Sequence, residues 1–189
     1  MTTIAPDITT LTGDYSLDTS HSRIGFLARH AMVTRVRGAF GDYEGHLHLD
    51  QDDPSRSSAE ITINVASVDT GNADRDAHLR SADFFDVERF PTITFTSTSA
   101  EALGDDRYAL TGDLTVRDVT RPVTVELEFT GALRDPFGLQ RAGFEGTTVI
   151  NRRDFGLGWN MVLDTGGLLV SEKITIELDV AAVRPLEQG

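Results

Sequence analysis

A chain of 189 residues with 17 lysines and arginines against 30 aspartates and glutamates carries a formal charge of −13. That length suits one domain with a sizeable core. So acidic a surface repels phosphate backbones and anionic bilayers, which sets nucleic acid and cytoplasmic-leaflet docking aside as expected partners. With no cysteine there is neither a disulfide framework nor a thiol nucleophile.

The opening stretch, MTTIAPDITTLTGDY, has no basic leader region and no apolar run, and no later segment reaches the length of a membrane-spanning helix. These features predict a loose tail over residues 1–13, one domain over 14–185, and a cytoplasmic chain without stable membrane insertion. From Tyr15 onward apolar and polar residues alternate with period two, the mark of half-buried strands. Ile24, Phe26 and Ala28 share a face. Ala59, Ile61, Ile63 and Val65 alternate with Glu60, Thr62 and Asn64. The pattern returns at Ile93 and Phe95, at Leu110, Leu114 and Val116, at Val123 to Phe129, and at Val170 to Val180.

This reading predicts strands over about 22–30, 36–49, 58–66, 92–100, 106–116, 122–131, 140–151 and 169–182. Turn residues separate them, among them Asp52-Asp53-Pro54, Gly104-Asp105-Asp106 and Asp135-Pro136-Phe137-Gly138. Short connections favour antiparallel neighbours, and a sheet with one greasy face hides it and its edges by closing. The predicted fold is therefore all-β, an eight-stranded antiparallel barrel, with a two-sheet sandwich as the alternative. The length of 36–49 and 169–182 implies a tall barrel. Gly41, Gly45, Gly112 and Gly146, inside strands, suggest bulges or bends.

One segment breaks the alternation. Between Asp69 and Pro91 a short helical pattern carries Phe84 and Phe85, and Pro91, lacking an amide hydrogen, ends it. A helical insert over about 73–90 in an otherwise all-β chain reads as a plug over a container.

The same segment, DTGNADRDAHLRSADFFDVERFPTITF (Asp69 to Phe95), resembles the signature of the YceI-like family, lipocalin-like barrels associated with polyisoprenoid binding. YSLDTSHSRIGFLARH (Tyr15 to His30), GAFGDYEG (Gly38 to Gly45), LTGDLTVRDVTRPVTVELEF (Leu110 to Phe129) and NRRDFGLGW (Asn151 to Trp159) agree with it in the same order. The resemblance spans about Tyr15 to Val183 and implies a lipocalin-like barrel that binds an amphiphilic lipid, together with a homodimer. One departure is Asp118, where the family usually has a glycine suited to a positive-φ turn, so a local change of turn is expected there.

The residues offer three chemistries. His46 and His48, with Glu44, share one strand face and are a candidate zinc or iron set for a metal-dependent enzyme. That face opposes Tyr43, Leu47 and Leu49, however, so the expected state is solvated and no metal is assigned. No serine sits in a Gly-x-Ser-x-Gly elbow and no glycine-rich phosphate loop exists, so no catalytic residue is assigned. His30 and His78, inside the family-like motifs, read as structural or as mouth residues.

The third chemistry is apolar burial. Each buried methylene contributes roughly 0.8 kcal/mol, so a five-carbon isoprene unit supplies about 3–4 kcal/mol before ordering costs. The expected wall is Phe26, Phe40, Ile61, Ile63, Phe95, Leu114, Leu127, Phe129, Phe144 and Ile176. The expected closure is Leu79, Phe84, Phe85, Leu157 and Trp159. Arg75, Arg80 and Arg152 are candidates for a polar head group, because guanidinium pairs well with phosphate, or else for structural corners. The predicted function is non-catalytic binding of a long-chain polyisoprenoid or related amphiphilic lipid, for transport, storage or sequestration. No cofactor is expected beyond a bound isoprenoid or quinone-like lipid. The alternative is a filled barrel serving as an interaction or stress-related module.

Overall fold

The computed structural model describes residues 10–186 and, upstream, the backbone pairing of Thr3–Ile4. The remainder of the tail expected over 1–13 lies outside the described residues. In chain order the strands are β1 (Thr3–Ile4), β2 (Gly13–Leu17), β3 (Arg23–His30), β4 (Thr34–Phe40), β5 (Tyr43–Leu49), β6 (Ser58–Asn64) and β7 (Val68–Asp69). The helix α1 (Ala73–Arg80) follows, then β8 (Thr92–Gly104), β9 (Arg107–Val116), β10 (Val119–Arg134), β11 (Leu139–Asn151) and β12 (Lys173–Pro185).

Three pairs of these strands are single ribbons interrupted once: β2–β3, β4–β5 and β6–β7. The ribbon β2–β3 lies along β12 on one side and along β4–β5 on the other. The ribbon β6–β7 flanks β4–β5, and β8 to β12 continue antiparallel in sequence order. Counted by ribbon, this is a closed eight-stranded antiparallel barrel, because β12 returns to pair with β2–β3. Closure removes most of the edge that a one-sided greasy sheet would expose.

Two of the interruptions have a plain local cause. Asp18 caps a short 3-10 turn over Thr19–His21 by accepting the Ser20 amide at 3.1 Å. Gly41 and Asp42 separate β4 from β5, and the break switches the inward side from even to odd positions. Phe40 and Tyr43 are therefore both buried. Not every interior glycine marks a bend. A Cβ on Gly112 would stand 2.5 Å from the Phe95 ring, and one on Gly146 would stand 2.7 Å from a Leu127 methyl. These two glycines leave room for a neighbouring strand's side chain.

The insert over 73–90 is regular helix only as far as Arg80. Asn72 caps α1 by accepting the Arg75 amide at 2.9 Å, and acidic Asp74 and Asp76 sit in the first turn where the helix dipole favours them. Extended Ser81, at ψ 170°, ends the helix, and the chain then tightens into turns, with Asp86 in the left-handed region at φ 51° and Phe84 buried. The turn between β9 and β10 places its positive φ of 56° at Arg117, one residue before Asp118.

The interior holds two apolar clusters. One lies beneath the insert around Phe40, Ile63, Val65, Phe84 and Phe155, and the other lies at the opposite rim around Tyr15, Phe129, Ala142 and Ala182. Among the described residues no helix is long and apolar enough to cross a membrane.

Candidate functional site: the barrel cavity

A cavity of about 420 Å³ runs through the barrel between these clusters. Small-molecule sites usually occupy about 300–1,000 Å³. Its walls follow from strand parity. Phe26, Phe40, Ile61, Ile63, Phe95, Leu114, Leu127, Phe129, Phe144 and Ile176 all line it, one or two from each ribbon or strand. Leu79, Phe84, Phe85 and Leu157 border it from the insert and from the loop after β11. A bulge in β8 between Ser97 and Ser99 shifts parity, so that Ala100 joins the lining.

Trp159 does not reach the cavity. Its ring packs behind the plug, edge-on to His78 at 4.6 Å and tilted against Phe84 at 5.3 Å. It braces the closure from outside. Arg75 and Arg80 are also absent from the lining. Arg75 donates to the Thr70 hydroxyl at 2.7 Å and carbonyl at 2.8 Å, and Arg80 donates to the carbonyls of Ala66 and Val68 at 2.8 and 2.9 Å. Both tie α1 to the ribbon below it, because a helix of two turns cannot hold its place by burial alone.

Arg152 does border the cavity, and it is 4 % exposed. Its Nε donates to the Ser171 carbonyl at 2.9 Å, Nη1 to those of Leu157 and Trp159 at 2.6 and 2.9 Å, and Nη2 to that of Val170 at 3.3 Å. Four of its five N–H groups are thus committed to carbonyls. They fasten the loop over 156–171 across the end of the barrel. Burial lowers the pKa of this guanidinium, and the nearby Glu172 carboxylate opposes that shift.

The charged groups of the lining stand only at the ends of the tube: Arg152 at the plug, Asp50 and Asp106 at the far rim. Asp50 accepts the amides of Asp52 and Asp53 at 3.1 and 2.8 Å and the Arg56 Nε at 2.8 Å. The Asp53 amide above all, and then Arg56, lower its pKa. The exposed residues of the lining, Gln51, Ser58 and Asp106, all belong to the same far rim, which is therefore where the cavity meets water. Sequence patterning overlooked this rim. The signal was available, since in an up-and-down barrel alternate turns fall at one end, bringing together the turns at Asp50–Pro54 and Gly104–Asp106.

His46 and His48 lie on the outer surface. The Nδ1 of His48 pairs with Asp14 at 2.7 Å, and His46 faces Glu60 across the strand pair. Among the described residues no three His, Cys, Asp or Glu side chains gather as metal ligands. His78 bonds Asp83 at 2.9 Å and packs in the plug.

Comparison with known proteins agrees with this architecture. The YceI-like domain profile matches residues 15–182. A UPF0312 protein of Ectopseudomonas mendocina is 38% identical over 176 residues, which cover 92% of this chain and 89% of that protein. BcnA of Burkholderia cenocepacia superposes with a TM-score of 0.75 at 26% identity, covering 87% of this chain and 98% of BcnA. A polyisoprenoid binding domain from Saccharophagus degradans shares the fold, with a TM-score of 0.65 at 15% identity over 90% of this chain and 98% of that domain. The profile match and the bacterial relative together settle its membership: the chain belongs to the YceI-like family.

Proposed function

We propose that this barrel binds a long-chain amphiphilic lipid, a polyisoprenoid or a related molecule, without catalysis, for carriage, storage or sequestration. The observation that carries this reading is the cavity itself. It is walled by aliphatic and aromatic side chains along its length, and charged groups occur only at its ends. An elongated apolar chain gains burial along such a wall, whereas a small polar substrate finds nothing to orient it. A wall of this kind discriminates weakly between chains, since one methylene is worth only about 1–3 kcal/mol of selectivity.

The hydrocarbon lies under the plug in this reading, and the polar end sits at the Gln51, Ser58 and Asp106 rim, where water and side chains solvate it. Arg152 is a fastener of the loop, four of its five donors already spent on carbonyls. Native mass spectrometry of protein purified from its host tests the proposal: a co-purifying lipid supports it. Loading of a fluorescent isoprenoid into delipidated protein gives a second test. Folded Phe95→Asp or Phe129→Asp protein that loads like the wild type would refute the assigned wall.

A further inference from the structure

Beside the plug the sheet continues past the barrel rim. β4 keeps a strand partner on its β7 side only at Ala39 and Phe40, so Thr34 to Gly38 form a free edge paired to β3 alone. On the other side β3 is extended by the loop after β11. His30 bridges Val170, the Ala31 amide donates to Leu169 O at 2.7 Å, and the Leu169 amide donates to Met161 O at 2.9 Å. The hairpin and this loop make one projecting arm. Its tip is apolar and in water, with Met32 61 %, Val33 78 %, Met161 55 % and Val162 72 % exposed.

The hairpin half of the arm departs in charge from the chain, and the loop half adds one acid, Asp164. Residues 29–37 contain Arg29, Arg35 and Arg37 and no acid, within a protein of net charge −13. Arg37 shares Glu177 at 3.5 Å, while no carboxylate pairs with Arg29 or Arg35 among the described residues. Ala31 and Met32 both occupy the left-handed region, at φ 50° and 60°, where non-glycine residues are disfavoured. At the foot of the arm Gly38 is buried against Phe26 and Thr70. There Phe40 stands between Phe26 and Phe85, with ring centroids 5.7 and 6.0 Å apart, and all three rings line the cavity.

From these observations we infer that the arm is the surface by which this protein docks, reversibly, on an anionic lipid bilayer. Exposed methionine and valine side chains flanked by arginines match the two layers of such a surface: an acyl boundary for the apolar tip and phosphate-bearing head groups for the cations. The same arginines argue against a second copy adding a strand to β4, because like charges along an edge repel their duplicate. The overall negative charge averages over a surface that this arm interrupts, and it keeps the attachment weak and salt-sensitive. The inference goes beyond cargo binding, since it concerns where the barrel meets its membrane.

Flotation of the full chain with phosphatidylcholine–phosphatidylglycerol vesicles, against phosphatidylcholine alone, is the test. Binding is expected to the anionic vesicles only and to fall as salt rises. Each cation near the surface contributes about a fivefold factor to partitioning, so Arg29→Glu with Arg35→Glu should weaken binding by more than about tenfold. Met32→Asp with Val33→Asp should do the same. These positions are exposed, so unchanged melting and unchanged loading of a fluorescent isoprenoid from detergent would separate docking from cargo binding and from folding. Wild-type protein that loads but ignores anionic vesicles would overturn the inference. So would variants that float normally, or a wild-type dimer that Val33→Asp dissociates.

Discussion

Gly112 on β9 and Phe95 on β8 share one space: a Cβ at position 112 would lie 2.5 Å from the tip of the Phe95 ring and 2.6 Å from the Thr96 carbonyl oxygen. The absent side chain is what leaves room for the ring. Gly112→Ala forces Phe95 toward the lumen and presses on backbone that cannot yield. A loss of about 1–3 kcal/mol in unfolding free energy is expected, read by denaturant titration, with weaker lipid loading.

Phe95→Ala acts oppositely on the lumen. One side of the ring already faces open space, so the cost falls near the low end for such truncations, about 3 kcal/mol. Uptake of a bulkier or branched fluorescent chain should improve relative to a linear one. Unchanged selectivity would mean that Phe95 does not shape the lumen.

Replacing Arg152 by Met keeps the bulk and removes the donors. The carbonyls of Leu157, Trp159, Val170 and Ser171 then lose their shared partner inside the protein. Bonds from a charged donor are worth about 1.5–3 kcal/mol each, but water re-enters at some of these groups, so a net loss of about 3 kcal/mol is expected. Hydrogen exchange should quicken across 157–171 while β9 and β10 stay protected.

Acid sensitivity centres on Asp18 and Asp135, which flank Arg141 from two sides. The Arg141 guanidinium, then the Ser20 hydroxyl, hold the Asp18 carboxyl far below its ordinary value. Its folded pKa lies beneath its unfolded one, so the stabilisation is complete above about pH 4 and drains away as pH drops further. The gap in melting temperature between wild type and Asp18→Asn should therefore be flat from neutral pH down to about 4 and then close. A gap independent of pH in that acid range would contradict the assignment.

How much of this was readable beforehand depended on periodicity. The wall strands alternate cleanly, so Ile61, Phe95, Leu127 and Ile176 could be placed on the inner face before any coordinates. Residues 13–17 were not recognised as strand, because β2 is short and its pairing with β5 and β12 is a long-range matter. The loop from Arg152 to Glu172 has no period. Nothing in NRRDFGLGW shows that Arg152 gathers carbonyls or that Trp159 stacks behind Phe84. Arg75 and Arg80 looked available for a ligand because a sequence displays charges and hides the carbonyls that occupy them.

At the far rim, the Tyr15 hydroxyl donates to Leu11 O and accepts from the Gln140 amide, both at 2.8 Å, while Arg184 donates to Thr12 O and Thr10 O at 2.7 and 2.9 Å. That network moors the first and last described stretches of the chain side by side, on the side of the barrel away from α1. A tether, tag or fused partner joined to either terminus would hang from that base. A sensor chip grafted through such a linker would hold every molecule with its helical crown turned toward the flow.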